Sequence, residues 1–207
     1  MDSILFLFKL IVLVFSVVIH EISHGFVAER FGDPTARRAG RLTLNPIKHI
    51  DPFGSVILPL LMSLIPGGVV FGWAKPVPVD PRYFKHQDRD IAYVSAAGPL
   101  SNITLAFIFG MLIRALSFAP QFSWSEPLME LFAIIVITNV ALAIFNLVPI
   151  PPLDGSGVLF AFLPRSMNGV RVFLQRYGLF ILLAFIFFGF DIISPFIFWL
   201  VHLFAGI

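Results

Sequence analysis

Long apolar runs, separated by short stretches that are basic or rich in proline and glycine, set the pattern of this chain. A helix that crosses a bilayer needs about 20 mostly apolar residues. On that measure the runs predict spanning helices over Ile4 to Ala28, Ile91 to Leu116 and Leu128 to Val148. A fourth block extends from Tyr177 to about Phe190, and a short last segment from Pro195 to Phe204. Asp191 and Pro195 interrupt this C-terminal region, which fits either one kinked crossing or a turn back. Residues 54–68 are apolar but too short, and Pro59, Pro66, Gly67 and Gly68 break them. They read as a re-entrant or interfacial segment. The following "VVFGWAKPVPVDP" alternates like a short extended hairpin. The expected fold class is an all-α polytopic membrane protein with about four to five transmembrane helices. A re-entrant, partly extended segment lies between the first two. No internal repeat or second domain is evident, so 1–207 reads as one membrane-embedded domain. Its chemical motifs fall within about 15–160 and further helical segments within 177–207.

Composition strengthens the membrane reading. The chain is 58% hydrophobic and 13% charged, where a soluble domain carries roughly 25% charged residues. The first run could pass for a signal peptide. It is too long for one and carries polar residues that a cleaved leader has no use for, so it is expected to be retained. Nine Lys and Arg residues, from Arg30 to Arg89, lie between the first two spans, and Arg165, Arg171 and Arg176 lie between the third and fourth. If residues 54–68 do not cross, both basic regions share one side, which the positive-inside rule makes cytoplasmic. The net charge of +2 is small and scattered, so nucleic-acid binding is not expected. There is no cysteine, so a metal must use His, Asp, Glu or backbone oxygen.

The candidate chemistry lies in "VVIHEISHGF", residues 17–26. His20 and His24 are four apart, so a helix puts both imidazoles on one face, able to share a zinc ion. Glu21 sits beside them in the H-E-x-x-H pattern of metalloproteases, as general base. Ionisable residues inside a span are costly unless paired or functional. His24 precedes Arg30 by few residues, which places the site roughly 10 Å from the basic side, in the cytoplasmic half. Zinc needs a third protein ligand. Asp154 in "NLVPIPPLDG" is the leading candidate, because Pro149, Pro151 and Pro152 must end or unwind the third span before it. Asp154 would alternatively cap a helix beginning at "GSGVLFAFL". Asp191 is a rival ligand. Asn146 could hold a substrate backbone or an oxyanion, or serve as interhelical glue. "SAAGPLSN" is rich in small residues and reads as packing against the metal helix, with Asn102 fixing helix position. His49, His86 and His202 are expected at the surface or interface.

HEISH in the first span, "AAGPLSN" in the next and "NLVPIPPLDG" ending the third resemble the site-2 protease family of intramembrane zinc metalloproteases. The resemblance implies His20, His24 and Asp154 as ligands of one Zn2+ per chain and Glu21 as catalytic acid/base. It also implies an active-site role for Asn146. It further implies regulated intramembrane proteolysis of transmembrane protein or peptide substrates in the lipid bilayer, in a prokaryotic cell (inner) membrane. The stretch "FGWAKPVP" resembles the membrane-associated β segment of short members and could offer an edge that pairs with unwound substrate. Many relatives carry a PDZ or CBS domain; this sequence reads as a minimal member without either. A divalent-metal transporter would spread ligands along a path, and a di-iron oxidase would need more histidines. A catalytically inactive binding scaffold would be expected to lack part of the site.

Overall fold

The computed structural model describes residues 2–57, 61, 74–118 and 122–207. Seven α-helices occur among them: α1 Asp2–Arg30, the one-turn α2 Thr35–Arg38, α3 Gln87–Phe118, α4 Ser125–Asn146, α5 Asp154–Phe162, α6 Asn168–Phe188 and α7 Phe190–Ala205. No strand occurs among the described residues. Helices α1, α3, α4 and α6 are long and apolar enough to cross a membrane, so the chain is an integral membrane protein of all-α class. The described parts of 54–68 and of the predicted hairpin are limited. Pro52–Ile57 forms a π-helical turn, and residues 74–80 are irregular. The remainder of both expectations lies outside the described residues.

Helices α1, α3 and α4 make an up-down-up core. On α1 the buried stripe runs Val12, Ser16, His20, His24 and Ala28, one residue per helical turn. It faces α3 in antiparallel register, with His20 against Asn102 and His24 against Val94. Pro99 sits inside α3 without breaking it. Such prolines are tolerated in membrane helices, where neighbouring groups compensate for the lost N–H. The third predicted span, Leu128 to Val148, is realised as Ser125–Asn146.

The C-terminal region departs from the expected spans. Helix α6 begins at Asn168, well before Tyr177. Its first turns carry Arg171 and Arg176, which an apolar window rejects but a helix end at a membrane interface accommodates by snorkelling. Arg171 stands 5.2 Å over the Phe160 ring and 3.3 Å from Asp88, tying α6 to α5 and α3. At Gly189 the backbone stays in the helical region, with φ −101 and ψ −6. Gly178 on α6 lies against Pro151, whereas Phe204 near the end of α7 lies against Gly110. Helices α6 and α7 therefore advance in one direction as a single bent path. Pro195 adds a missing N–H just after the bend. Helix α7 is well anchored. Ile193, Ile197, Val201 and Ala205 are buried with Val136, Val140 and Ile113, and Arg114 donates to the Phe204 carbonyl at 2.9 Å, capping the helix end. This arrangement gathers Arg30, Arg89, Arg171 and Arg176 toward one end of the bundle and Lys9 and Arg114 toward the other.

Candidate metal centre and active site

The site forms where α1, α3 and α5 meet. Three glycines permit the approach. A Cβ at position 98 would fall 2.5 Å from both His20 Nε2 and His24 Nε2. One at position 155 would fall 2.2 Å from the Leu147 carbonyl oxygen, and one at 157 would fall 2.1 Å from Ser95 Oγ. Only glycine lets α3 pass directly beneath the imidazoles and lets α5 fold back onto the end of α4. The connecting turn, Leu147 to Leu153, contains a cis Pro151–Pro152 bond. It delivers Asp154 as the first residue of α5, next to the two histidines.

Asp154 is not a cap. The N-cap position is Leu153, which makes no side-chain cap bond. The Asp154 carboxylate instead faces the imidazoles, with Oδ2 2.9 Å from His20 Nε2 and Oδ1 3.3 Å from His24 Nε2. One donor atom from each of these three residues lies within 4.8 Å of the others. His20 and His24 are 6% and 8% exposed. The outer nitrogens are engaged elsewhere. His24 Nδ1 is 2.7 Å from the Val94 carbonyl oxygen, and His20 Nδ1 is 2.6 Å from Asn102 Oδ1. A carbonyl oxygen can only accept, so each Nδ1 carries the proton and donates it outward. In the neutral rings the Nε2 lone pairs then point at a carboxylate. Three electron-pair donors converging in this way repel one another until a cation lies between them. Imidazole and carboxylate suit zinc, and the outward Nδ1–H bonds are of the kind that orient metal-bound histidines. The residues present fit the metal.

A cavity of about 850 Å³ opens beside this cluster. His20, Glu21, His24, Ser95, Asn146 and Asp154 supply its polar lining. The rest is apolar, including Pro76, Val77, Val79, Ile91, Phe145, Leu179 and Leu182. Glu21 Oε2 accepts a hydrogen bond from the Val77 main-chain N–H at 2.8 Å. Residues 74–80 are themselves fastened at both ends. Lys75 N donates to the His49 carbonyl at 2.9 Å, and Asp80 N donates to Asp33 Oδ2 at 2.7 Å. Asn146 lines the cavity while its Nδ2 donates to the Leu142 carbonyl at 2.9 Å.

The structure thus brings together His20, Glu21, His24, Asn146 and Asp154. Asp191 is exposed at the start of α7 and outside the cluster. His86 and His202 are exposed as expected. His49 is not: it is 2% exposed, with Nε2 3.0 Å from the Thr43 carbonyl oxygen. Its main-chain carbonyl accepts from Lys75 N. The sequence reading missed the Val77 clamp, since a main-chain N–H has no residue signature.

The sequence pattern of peptidase family M50 matches residues 8–124 and 118–188. Three similar proteins all carry the name "Putative zinc metalloprotease". YwhC of Bacillus subtilis is 40% identical over 180 residues, covering 86% of this chain and 78% of its own. Rip2 of Mycolicibacterium smegmatis is 35% identical over 70% of this chain and 52% of its own. MJ0611 of Methanocaldococcus jannaschii is 28% identical over 74% of this chain and 70% of its own. No solved structure matches. With both the family pattern and a close relative spanning most of the molecule, the chain belongs to peptidase family M50, the site-2 protease family of zinc metallopeptidases.

Proposed function

We propose that this peptidase hydrolyses peptide bonds of membrane-embedded protein substrates, with one zinc ion held by His20, His24 and Asp154 and with Glu21 as general base and acid. The observation that carries this reading is the convergence of the His20, His24 and Asp154 donor atoms beside Glu21 in an otherwise apolar cavity between membrane helices. When bound, zinc supplies Lewis acidity, which polarises the scissile carbonyl and acidifies water.

The protein's own groups do the rest. Asn102 and the Val94 carbonyl hold the imidazoles with Nε2 facing inward. The Glu21 carboxylate takes the proton from the attacking water and returns it to the leaving amine. The Val77 N–H keeps that carboxylate aimed along the cavity. An amide has two N–H donors. Asn146 can therefore keep its bond to Leu142 and still donate to a substrate carbonyl or oxyanion. The apolar walls suit the hydrophobic side chains of an unwound substrate segment. The clustering of basic residues at the end nearest His24 supports a cytoplasmic-side active site in the cell membrane.

The test is a substitution series with zinc analysis on purified protein. His20→Ala, His24→Ala and Asp154→Ala are each expected to lose both zinc and cleavage of a transmembrane substrate, while Asp191→Ala keeps both. Full zinc affinity in Asp154→Ala together with its loss in Asp191→Ala would overturn the ligand set. Metal flux into proteoliposomes without proteolysis would favour a transporter.

A further inference from the structure

Three buried polar side chains at the centre of the bundle lie outside the cavity lining. Asn139, on α4, is fully buried, as is Asn102, and Ser16 is 4% exposed. Asn139 Nδ2 donates to the Ile135 carbonyl at 2.9 Å and to Ser16 Oγ at 2.9 Å. Asn102 Nδ2 donates to the Ser16 carbonyl at 3.2 Å and to Asn139 Oδ1 at 2.8 Å. Asn102 Oδ1 faces His20 Nδ1 at 2.6 Å.

These bonds have a direction. The orientation of an amide is ordinarily ambiguous, because its oxygen and nitrogen can be exchanged. Here two main-chain carbonyls remove the ambiguity, since Ile135 O and Ser16 O can only accept. Asn139 must turn its nitrogen to Ile135, which leaves its oxygen for Asn102. Asn102 must turn its nitrogen toward Ser16 and Asn139, which leaves its oxygen for His20. His20 must then place its proton on Nδ1 and present a bare Nε2 to the metal position. A flipped Asn102 would set an N–H against Nδ1 and favour the opposite tautomer, with a proton where a metal should bind.

We propose that Asn139 is a positioning residue for the metal centre: together with the Ser16 carbonyl it fixes the orientation of the Asn102 amide and so sets the His20 tautomer that can ligate zinc. It acts through two intervening hydrogen bonds and touches neither metal nor substrate. The inference rests on the reading of His20 as a zinc ligand.

The experiment measures zinc affinity by chelator competition on the purified full-length chain, alongside thermal unfolding of the metal-free protein. Asn139→Ala is expected to weaken zinc binding about 10- to 100-fold. Asn139→Leu, which fills the volume without polar atoms, should do the same and serves if the alanine variant does not fold. Asn139→Asp should restore affinity to within about threefold, because a protonated carboxyl keeps the acceptor for Asn102 and one of the two donors. Val140→Ala, an equally buried neighbour, should lower the unfolding temperature and leave zinc affinity unchanged. Asn139 variants that lose stability but bind zinc like wild type would overturn the proposal, as would an Asp variant as weak as the Leu variant. His20→Ala separates the two readings. If it keeps zinc, the ligand assignment itself falls. If it loses zinc while the Asn139 variants do not, only the positioning role falls.

Discussion

The two walls of the cavity are built in opposite ways. The wall formed by α1, α3 and α5 is polar at its surface and rigid behind it. Each histidine is bonded on its outer nitrogen, and the helices meet at glycines with no room for a methyl group. The facing wall, residues 74–80 and α6, is apolar. It is held by a few main-chain bonds and by a helix that buries only Gly178 and Leu182. The shorter helix α7, which does not meet the length of a span, is packed far better than α6. The difference matches the proposed roles. On that proposal, metal donor atoms must be held within a fraction of an ångström, whereas a wall that takes up peptide segments needs shape and some freedom to yield.

The largest effect is expected on the rigid wall. Gly98→Ala places a methyl group against both Nε2 atoms, so zinc content and proteolysis should fall together by about 100-fold or more. Val77→Pro removes the N–H that holds Glu21 without touching a ligand. It should lower kcat roughly tenfold, the worth of one hydrogen bond to a charged group, with zinc content unchanged. Val77→Ala keeps that N–H and should lose far less. Leu182→Ala, on the yielding wall, should leave zinc and kcat near wild type. It should change kcat/KM about tenfold among substrates that differ in apolar side-chain size.

The smallest effect belongs to the outer fastening of residues 74–80. The Arg82 guanidinium and main-chain N–H hold the Asp80 carboxyl below its ordinary value. A carboxylate with a depressed folded pKa stabilises the fold above its unfolded value and loses that contribution as pH falls through the folded one. The contribution of this pair, read as the difference in thermal unfolding between wild type and Arg82→Ala, should therefore be flat from neutral to mildly acidic pH and fade only below the usual aspartate range. It should be small throughout, because the pair is exposed.

Much of the rigid wall was legible in the sequence. HEISH stood out because the membrane makes three ionisable groups in one turn expensive, and the fourfold spacing gave the shared face. Asp154 could be reached from the prolines before it, although a capping role was equally consistent with the local pattern. The structure separates the two, because Leu153 holds the N-cap position and the Asp154 carboxylate faces both imidazoles. Asn102 was readable as a helix-fixing residue but not as the partner of His20, because 82 residues separate them. Asn139 carried no signal, being a lone amide in an apolar run. The yielding wall was least legible. Its bonds use main-chain atoms, and His49 is buried by a loop whose path the residue pattern does not specify. The start of α6 was missed because arginines near a membrane interface count against an apolar window yet sit comfortably on a helix.

In the proposed mechanism Glu21 moves the proton and the metal-holding residues do not. The most direct measurement is cleavage of a transmembrane substrate in proteoliposomes by the Glu21→Gln variant, with zinc content determined on the same preparation. About one zinc per chain is expected, as in wild type, with cleavage reduced by about 10²- to 10⁴-fold. Normal cleavage by Glu21→Gln at full zinc occupancy would contradict that mechanism.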